Sequence, residues 1–233
     1  MMDVTVRRFT AIAGIVSVLL YVVSASLIFD LPAIGDSAGT WSAYVASHGA
    51  QLLGEVYVWG AITAATVCFL TGLWSVMRRS ARDSEVLATL GLGAGYLIWA
   101  VALAGFAPLL VLGYRASALD PASAKSLGDL VLLGATLSAF PTAVSVGAFS
   151  ALILRTRAVA HWLGWFGLLV VAAHLAAAGA FAQDGFFSPS VVSVFVAPPL
   201  YYLWMLSLSL ALLRARRVAP IAAERAGITI AAN

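Results

Sequence analysis

Six long stretches of apolar residues alternate with short polar segments along the 233-residue chain. A membrane-spanning helix needs about 20 mostly apolar residues, and each stretch reaches that length. Membrane barrels instead need short strands of alternating polarity. The pattern therefore predicts an all-α fold, a polytopic six-transmembrane-helix bundle that forms a single domain. The predicted spans lie at about 9–29, 51–77, 86–113, 129–154, 161–183 and 191–213.

The composition supports a membrane protein without a separate soluble domain. Hydrophobic residues make up 62% and charged residues 10% of the chain, whereas soluble domains have roughly 45–50% and 25%. The first apolar stretch, Phe9 to Phe29, is longer than the roughly 7–15 residues of a signal peptide, so we expect a retained first span. The single cysteine, Cys68, excludes an intramolecular disulfide.

The charges predict the orientation of the spans. All but Arg115 and Lys125 of the 13 basic residues fall on one side of the bundle. Because Lys and Arg accumulate in cytoplasmic loops, we expect both termini in the cytoplasm, with a short basic tail at 214–233. This layout is typical of a multi-pass protein of the bacterial plasma (inner) membrane, surrounded by membrane lipid. Basic residues placed at span ends do not indicate nucleic acid as a partner, despite the net charge of +3.

The connection at 30–50 has helical character. Asp36 or Ser37 can cap a helix, after which Trp41, Tyr44 and Val45 fall on one face. Such a face suits a helix that lies in the outer membrane interface. An irregular loop with anchoring aromatic side chains is the alternative interpretation.

Small residues predict where helices pack closely. Gly91 and Gly95 in the third span, and Ala172, Ala176 and Ala180 in the fifth, recur at four-residue spacing. Small side chains at this spacing let helix backbones approach each other in lipid. We therefore expect the fifth helix to be the most enclosed.

Prolines and hydroxyl residues add a second pattern to the fourth and sixth spans. Pro141 and the pair 198–199 each remove backbone hydrogen bonds and predict kinks, which either line a cavity or shape the bundle. Ser138, Thr142 and Ser145 form a polar stripe on the fourth span. Such stripes face the bundle interior, as walls of a cavity or as interhelical hydrogen-bonding groups.

The second and fifth spans carry the polar groups with the most functional interest. Four polar positions recur every four residues on the second span, and Glu55 among them is costly in a membrane. His174 stands alone in the apolar run "VVAAHLAAAG". We expect a neutral ring that is hydrogen-bonded to another helix, at the depth of the tyrosines of the sixth span and of Trp59 or Thr63 on the second. Such a histidine either links helices or forms a ligand or proton site. The candidate intramembrane polar site comprises Gln51, Glu55, Trp59, Thr63, His174, Tyr201 and Tyr202.

Known catalytic and cofactor motifs are missing from the sequence. There is no phosphate-binding loop, no metal-ligand spacing and no histidine pair placed for haem. "GDSAG" at 35–39 fits a serine nucleophile elbow, but that motif works at the edge of a sheet. We therefore predict no catalytic residues, no metal and no cofactor.

Three function classes remain open. The first is the binding of a small apolar or amphipathic ligand, or an accessory or regulatory role beside a membrane-protein partner. The second is a small transporter with a polar cavity between kinked helices. The third is a membrane-embedded enzyme that uses Glu55 and His174.

Two segments resemble a known family. They are "RRFTAIAGIVSVLLY", which opens the first span, and "AHWLGWFGLL", which opens the fifth. Both are similar to an uncharacterised family of small bacterial six-helix membrane proteins, the domain of unknown function 4386 type. The resemblance implies the six-helix bundle and transfers no activity or site residue.

Overall fold

The computed structural model describes residues 4–27, 30–79 and 85–214, and all regular structure among them is helical. The predicted all-α class is therefore confirmed. The last two residues of the predicted first span and residues 215–233 of the basic tail lie outside the described residues. The elements are α1 (Val4–Leu27), α2 (Ala38–Met77), α3 (Glu85–Tyr114), α4 (Pro121–Thr156), α5 (Trp162–Ala178), a π-helical segment (Pro189–Val196) and α6 (Ala197–Arg214).

Five of the described helical stretches are long and apolar enough to cross a membrane, as expected for a multi-pass membrane helical protein. They are α1, α2, α3, α4 and the π-helical segment together with α6. The shorter α5 is an apolar helix of 17 residues. Its rise of about 25 Å at 1.5 Å per residue is slightly less than the roughly 30 Å hydrocarbon core.

Helix α2 extends well beyond the predicted second span. Ser37 caps it, because its Oγ accepts a hydrogen bond from the Thr40 backbone N–H at 3.1 Å. The helix then continues for 40 residues, about 60 Å at 1.5 Å per residue. The predicted cap and the shared buried face of Trp41, Tyr44 and Val45 are confirmed. The prediction of a separate interfacial helix is wrong, because the helix runs without a break from Ala38 through the second span to Met77.

Helix α4 also begins earlier than predicted, and it is the most enclosed spanning helix described. Asp120 caps it by accepting the Ser123 backbone N–H at 3.0 Å, and Pro121 occupies the first turn. The hydrogen bonds from Ser123 hold the pKa of the exposed Asp120 carboxyl below its usual range. In its most apolar window 61% of the residues are buried, the highest share among the five long helices.

The prediction that α5 is the most enclosed helix is wrong. Ala172 and Ala176 are exposed, and the buried face carries Gly167, Val170 and His174 instead. Ala180 is buried, but it lies beyond the end of α5. Spacing identified a helix face made of small residues but did not show which way that face points.

Glycines bring the helices close together, as predicted for the third span. Ser145 Oγ donates to the Gly91 carbonyl at 2.7 Å, and a Cβ on Gly91 would lie 3.0 Å from the Phe149 ring. Gly105 of α3 and Gly134 of α4 bring two backbones into contact. Helix α1 packs between α2 and α6, and α4 packs between α3 and α5. These contacts close the six helices into a bundle.

The prolines of the fourth and sixth spans have different consequences. Helix α4 continues through Pro141 without a break in its assignment. Pro198 and Pro199 lie in the first turn of α6, directly after the π-helical segment. The Ala197 N–H bonds to the carbonyl of Val192, five residues back, and this is the wide π-type pattern. The sixth predicted span therefore consists of two helix types.

Candidate functional site

A cavity of about 340 Å³ lies between the helices. All six helices and the π-helical segment contribute to its walls, and most of its lining side chains are apolar or aromatic. Its aromatic lining residues are Tyr21, Trp59, Trp99, Phe106, Phe195, Tyr201 and Tyr202.

The structure brings four of the seven predicted site residues to this cavity. Trp59 reaches it from α2, His174 from α5, and Tyr201 and Tyr202 from α6. The polar stripe on α4 contributes two more of its residues, Ser138 and Thr142. Residues far apart in the sequence therefore share one space.

The remaining predicted residues do not line the cavity. Gln51 is exposed on α2. Thr63 is half-buried, and its hydroxyl donates to the carbonyl of Trp59 in its own helix at 2.8 Å. Ser145, the third residue of the α4 stripe, is buried against Gly91 of α3.

Glu55 is fully buried and links two helices behind the cavity wall. Its Oε1 accepts a hydrogen bond from Ser24 Oγ of α1 at 2.5 Å and one from Trp59 Nε1 at 2.6 Å. Both donors line the cavity. No basic side chain in the described ranges forms an ion pair with this carboxyl group. Glu55 faces inward, as predicted, and its described partners are neutral donors.

His174 is 5% exposed and lines the cavity. Its Nδ1 lies 2.9 Å from the carbonyl oxygen of Val170, one turn earlier in the same helix. The predicted hydrogen bond to another helix is wrong, because the ring bonds to its own backbone. The contact from another helix is the ring of Tyr201, at 6.2 Å between centroids and 71° between planes. The prediction that Tyr201 lies at the depth of His174 agrees with this contact.

Stacked aromatic rings form two walls of the cavity. Trp59 stacks on Phe106 of α3 with centroids 4.5 Å apart, and Tyr21 of α1 stacks on Tyr202 with centroids 4.0 Å apart. Offset or tilted aromatic pairs of this kind hold each other in place. Sequence reasoning missed Tyr21 and Phe106, because single aromatic residues in an apolar span look the same whether they face lipid or a cavity.

The loop at 30–37 covers one end of the cavity through Leu31. Two hydrogen bonds of Ile34 fix this loop. Its N–H donates to Ser190 Oγ at 3.1 Å, and its carbonyl accepts from Lys125 Nζ at 2.6 Å. The loop is therefore tied both to the π-helical segment and to the beginning of α4.

Metal binding has no support in the described part of the chain. No group of three or more His, Cys, Asp or Glu side chains is placed to hold an ion there. The polar and aromatic side chains that line the cavity can form hydrogen bonds and aromatic contacts with a bound molecule.

Comparison with known proteins finds no family model, no curated protein and no solved structure that matches the chain. The resemblance of the first and fifth spans to the family of small six-helix membrane proteins stays a prediction.

Proposed function

We propose that this multi-pass membrane protein binds a small, largely apolar or amphipathic molecule in the cavity between its helices. The cavity itself carries the proposal. Its volume of about 340 Å³ falls in the range of about 300–1,000 Å³ typical of small-molecule sites. Such sites combine apolar and aromatic walls with a few polar groups that orient the ligand, and this cavity has the same composition.

An occupant would also improve the packing of the bundle. An empty apolar void costs roughly 24 cal/mol per Å³ in measured core mutants, because the atoms that line it lose contacts. The aromatic pairs around Trp59 and Tyr21 present large faces to the cavity. A bound apolar molecule restores these contacts and hence favours binding.

The test fills the cavity from within. Ala135 of α4 lines it, and Ala135→Phe places a ring in the space proposed for the ligand. We expect the dissociation constant of 1-naphthol to rise at least about tenfold, because the new ring occupies part of the ligand's space. A loss of about 1.4 kcal/mol of binding free energy corresponds to that factor. Native mass spectrometry of the purified protein measures the bound fraction across a 1-naphthol titration.

The matched control lies two residues along the same helix. Leu137 is 59% exposed, and Leu137→Phe adds a similar ring outside the cavity. The control should bind 1-naphthol like the unmodified protein. Equal binding by both variants, or no binding by the unmodified protein, would contradict the proposal.

We also propose that six helical segments cross a bacterial inner membrane, with both termini in the cytoplasm. Arg78, Arg157 and Arg214 follow or end α2, α4 and α6, which agrees with a cytoplasmic end rich in basic residues. Besides the five long helical stretches, α5 is the remaining crossing. Its apolar length is short, and a locally thinner bilayer accommodates it at modest cost.

Reporter fusions test this orientation. We expect a fusion after Arg157 to be active on the cytoplasmic side, and fusions after Ser123 and Gly185 to be active on the opposite side. The physical reason is the retention of Lys- and Arg-rich loops in the cytoplasm. A cytoplasmic result at Gly185 would show that α5 and α6 do not both cross.

A further inference from the structure

We infer that the molecule bound in this cavity is a neutral alcohol or phenol, whose hydroxyl group donates a hydrogen bond to His174 Nε2. This inference rests on the proposed ligand-binding function and specifies the chemical class of the ligand. Four polar side chains of the cavity wall support it, because each has already committed its donor to another atom of the protein.

The hydrogen bond at Nδ1 determines the tautomer of His174. A carbonyl oxygen only accepts, so the 2.9 Å contact with Val170 requires the proton to be on Nδ1. In a neutral imidazole the other nitrogen is then an acceptor. The described residues offer Nε2 no hydrogen bond, and the ring lines the cavity. Nε2 is therefore the ring atom available to a bound molecule.

Two hydroxyl groups of α4 also offer acceptors, and no donors, to the cavity. Ser138 Oγ donates to the carbonyl of Ala135 at 2.7 Å, and Thr142 Oγ1 donates to the carbonyl of Ser138 at 2.7 Å. A hydroxyl has one donor and two acceptor lone pairs. Once the donor is used in the helix, the oxygen can only accept from the cavity.

Ser24 on the opposite wall repeats this arrangement. Its Oγ donates to Glu55 Oε1 at 2.5 Å, so its lone pairs remain for a molecule in the cavity. Trp59 Nε1 also donates to Glu55, and this removes an indole donor from the cavity wall. Trp99 Nε1 is a donor without a described partner, but protein atoms enclose it.

The acceptor at His174 Nε2 selects a ligand that donates. A ketone or an ether can accept from a tyrosine hydroxyl of the wall, such as that of Tyr201, which has no described partner. It cannot donate to His174 Nε2, however, and a buried unsatisfied polar group costs about 1–3 kcal/mol. An ammonium group donates, but a buried cation needs a charged partner. Glu55 is bonded through Oε1 to Ser24 and Trp59, and it does not line the cavity, so it offers a bound cation no direct partner. A neutral hydroxyl satisfies these conditions.

The experiment compares three probes of nearly the same shape: 1-naphthol, 1-methoxynaphthalene and naphthalene. Each is titrated against the purified protein in the same detergent, and native mass spectrometry gives the dissociation constants. We expect 1-naphthol to bind about tenfold more tightly than 1-methoxynaphthalene, the factor that corresponds to one net hydrogen bond of about 1.4 kcal/mol.

Two variants test the acceptors separately. In His174→Phe, which keeps an aromatic ring but has no acceptor, the preference for 1-naphthol should fall to about onefold. Thr142→Val removes the second acceptor while it keeps the shape, and we expect it to reduce the preference about twofold. Thr71→Val, at an exposed position of α2, is the control and should keep the full preference.

The results separate the two proposals. Equal binding of all three probes by the unmodified protein overturns the donor inference and leaves the ligand-binding function in place. A preference for 1-naphthol that survives unchanged in His174→Phe also overturns it. If none of the probes binds, the proposed function fails and the inference fails with it.

Discussion

Gly134→Ala should lower the free energy of unfolding by about 1–3 kcal/mol relative to Gly147→Ala, the range measured when side chains are forced into a packed core. Both glycines lie in α4, so the usual gain from replacing a helical glycine by alanine cancels in the comparison. What differs is the space that the new methyl group enters.

The contact at Gly134 involves two backbones. A Cβ at this position would lie 2.8 Å from the Cα of Gly105 in α3. A backbone atom cannot rotate away as a side chain can, so α3 and α4 must move apart. At Gly147 the nearest atom is Val171 Cγ2 at 3.6 Å, an ordinary contact.

An SDS titration in mixed micelles, followed by circular dichroism, measures both variants. Equal midpoints for Gly134→Ala and Gly147→Ala would show that α3 and α4 do not approach through their glycines. Gly105→Ala, which approaches the same contact from α3, should lose stability in the same direction.

Glu55→Leu should lower the free energy of unfolding by about 2 kcal/mol, whereas Glu55→Gln should lower it by less than half as much. Leucine leaves Ser24 Oγ and Trp59 Nε1 without the acceptor to which both now donate. A buried donor without a partner costs about 1–3 kcal/mol, and removal of the buried carboxyl group offsets part of this cost. Glutamine keeps a carbonyl oxygen that can accept both bonds.

A double-mutant cycle with Ser24→Ala isolates the link between α1 and α2. If Ser24 and Glu55 interact as the structure shows, the cycle should give a coupling energy between about 0.5 and 3 kcal/mol. Additive losses would mean that the hydrogen bond contributes nothing to stability. A gain of stability in Glu55→Leu, with unchanged binding of 1-naphthol, would show that the carboxyl group serves neither the fold nor the cavity.

The helices themselves were predictable because their information is local. An uninterrupted apolar run of about 20 residues can satisfy its backbone in lipid only as a helix, and this determined the all-α class. The cap at Ser37 was predictable for the same reason, since a serine hydroxyl meets the first N–H groups of the helix that follows it. The continuation of α2 from Ser37 through Glu55 was not predictable. The segment 38–50 is polar enough to end a membrane span, yet its residues also form helix readily.

The orientation of each helix face was decided by the tertiary structure. In water, a polar face and an apolar face show which side of a helix is buried. In lipid the outside is as apolar as the core, so this contrast is absent. Ala172 and Ala176 of α5 therefore looked like a packing face and are exposed, while Gly134 gave no such sign and contacts Gly105 directly.

Which residues line the cavity depends on both the sequence and the tertiary structure. The sequence by itself determined that polar groups such as His174 and Trp59 are rare in these spans and belong on the inside, because burial without a partner is costly in lipid. Which of them meet was decided only by the packing, which placed Trp59 and His174 around one space and left Gln51 exposed. The hydrogen-bonding character of that space is also a tertiary property. The hydroxyl groups of Ser24, Ser138 and Thr142 and the imidazole of His174 offer acceptors to the cavity because their donors are bonded to Glu55 or to backbone carbonyls.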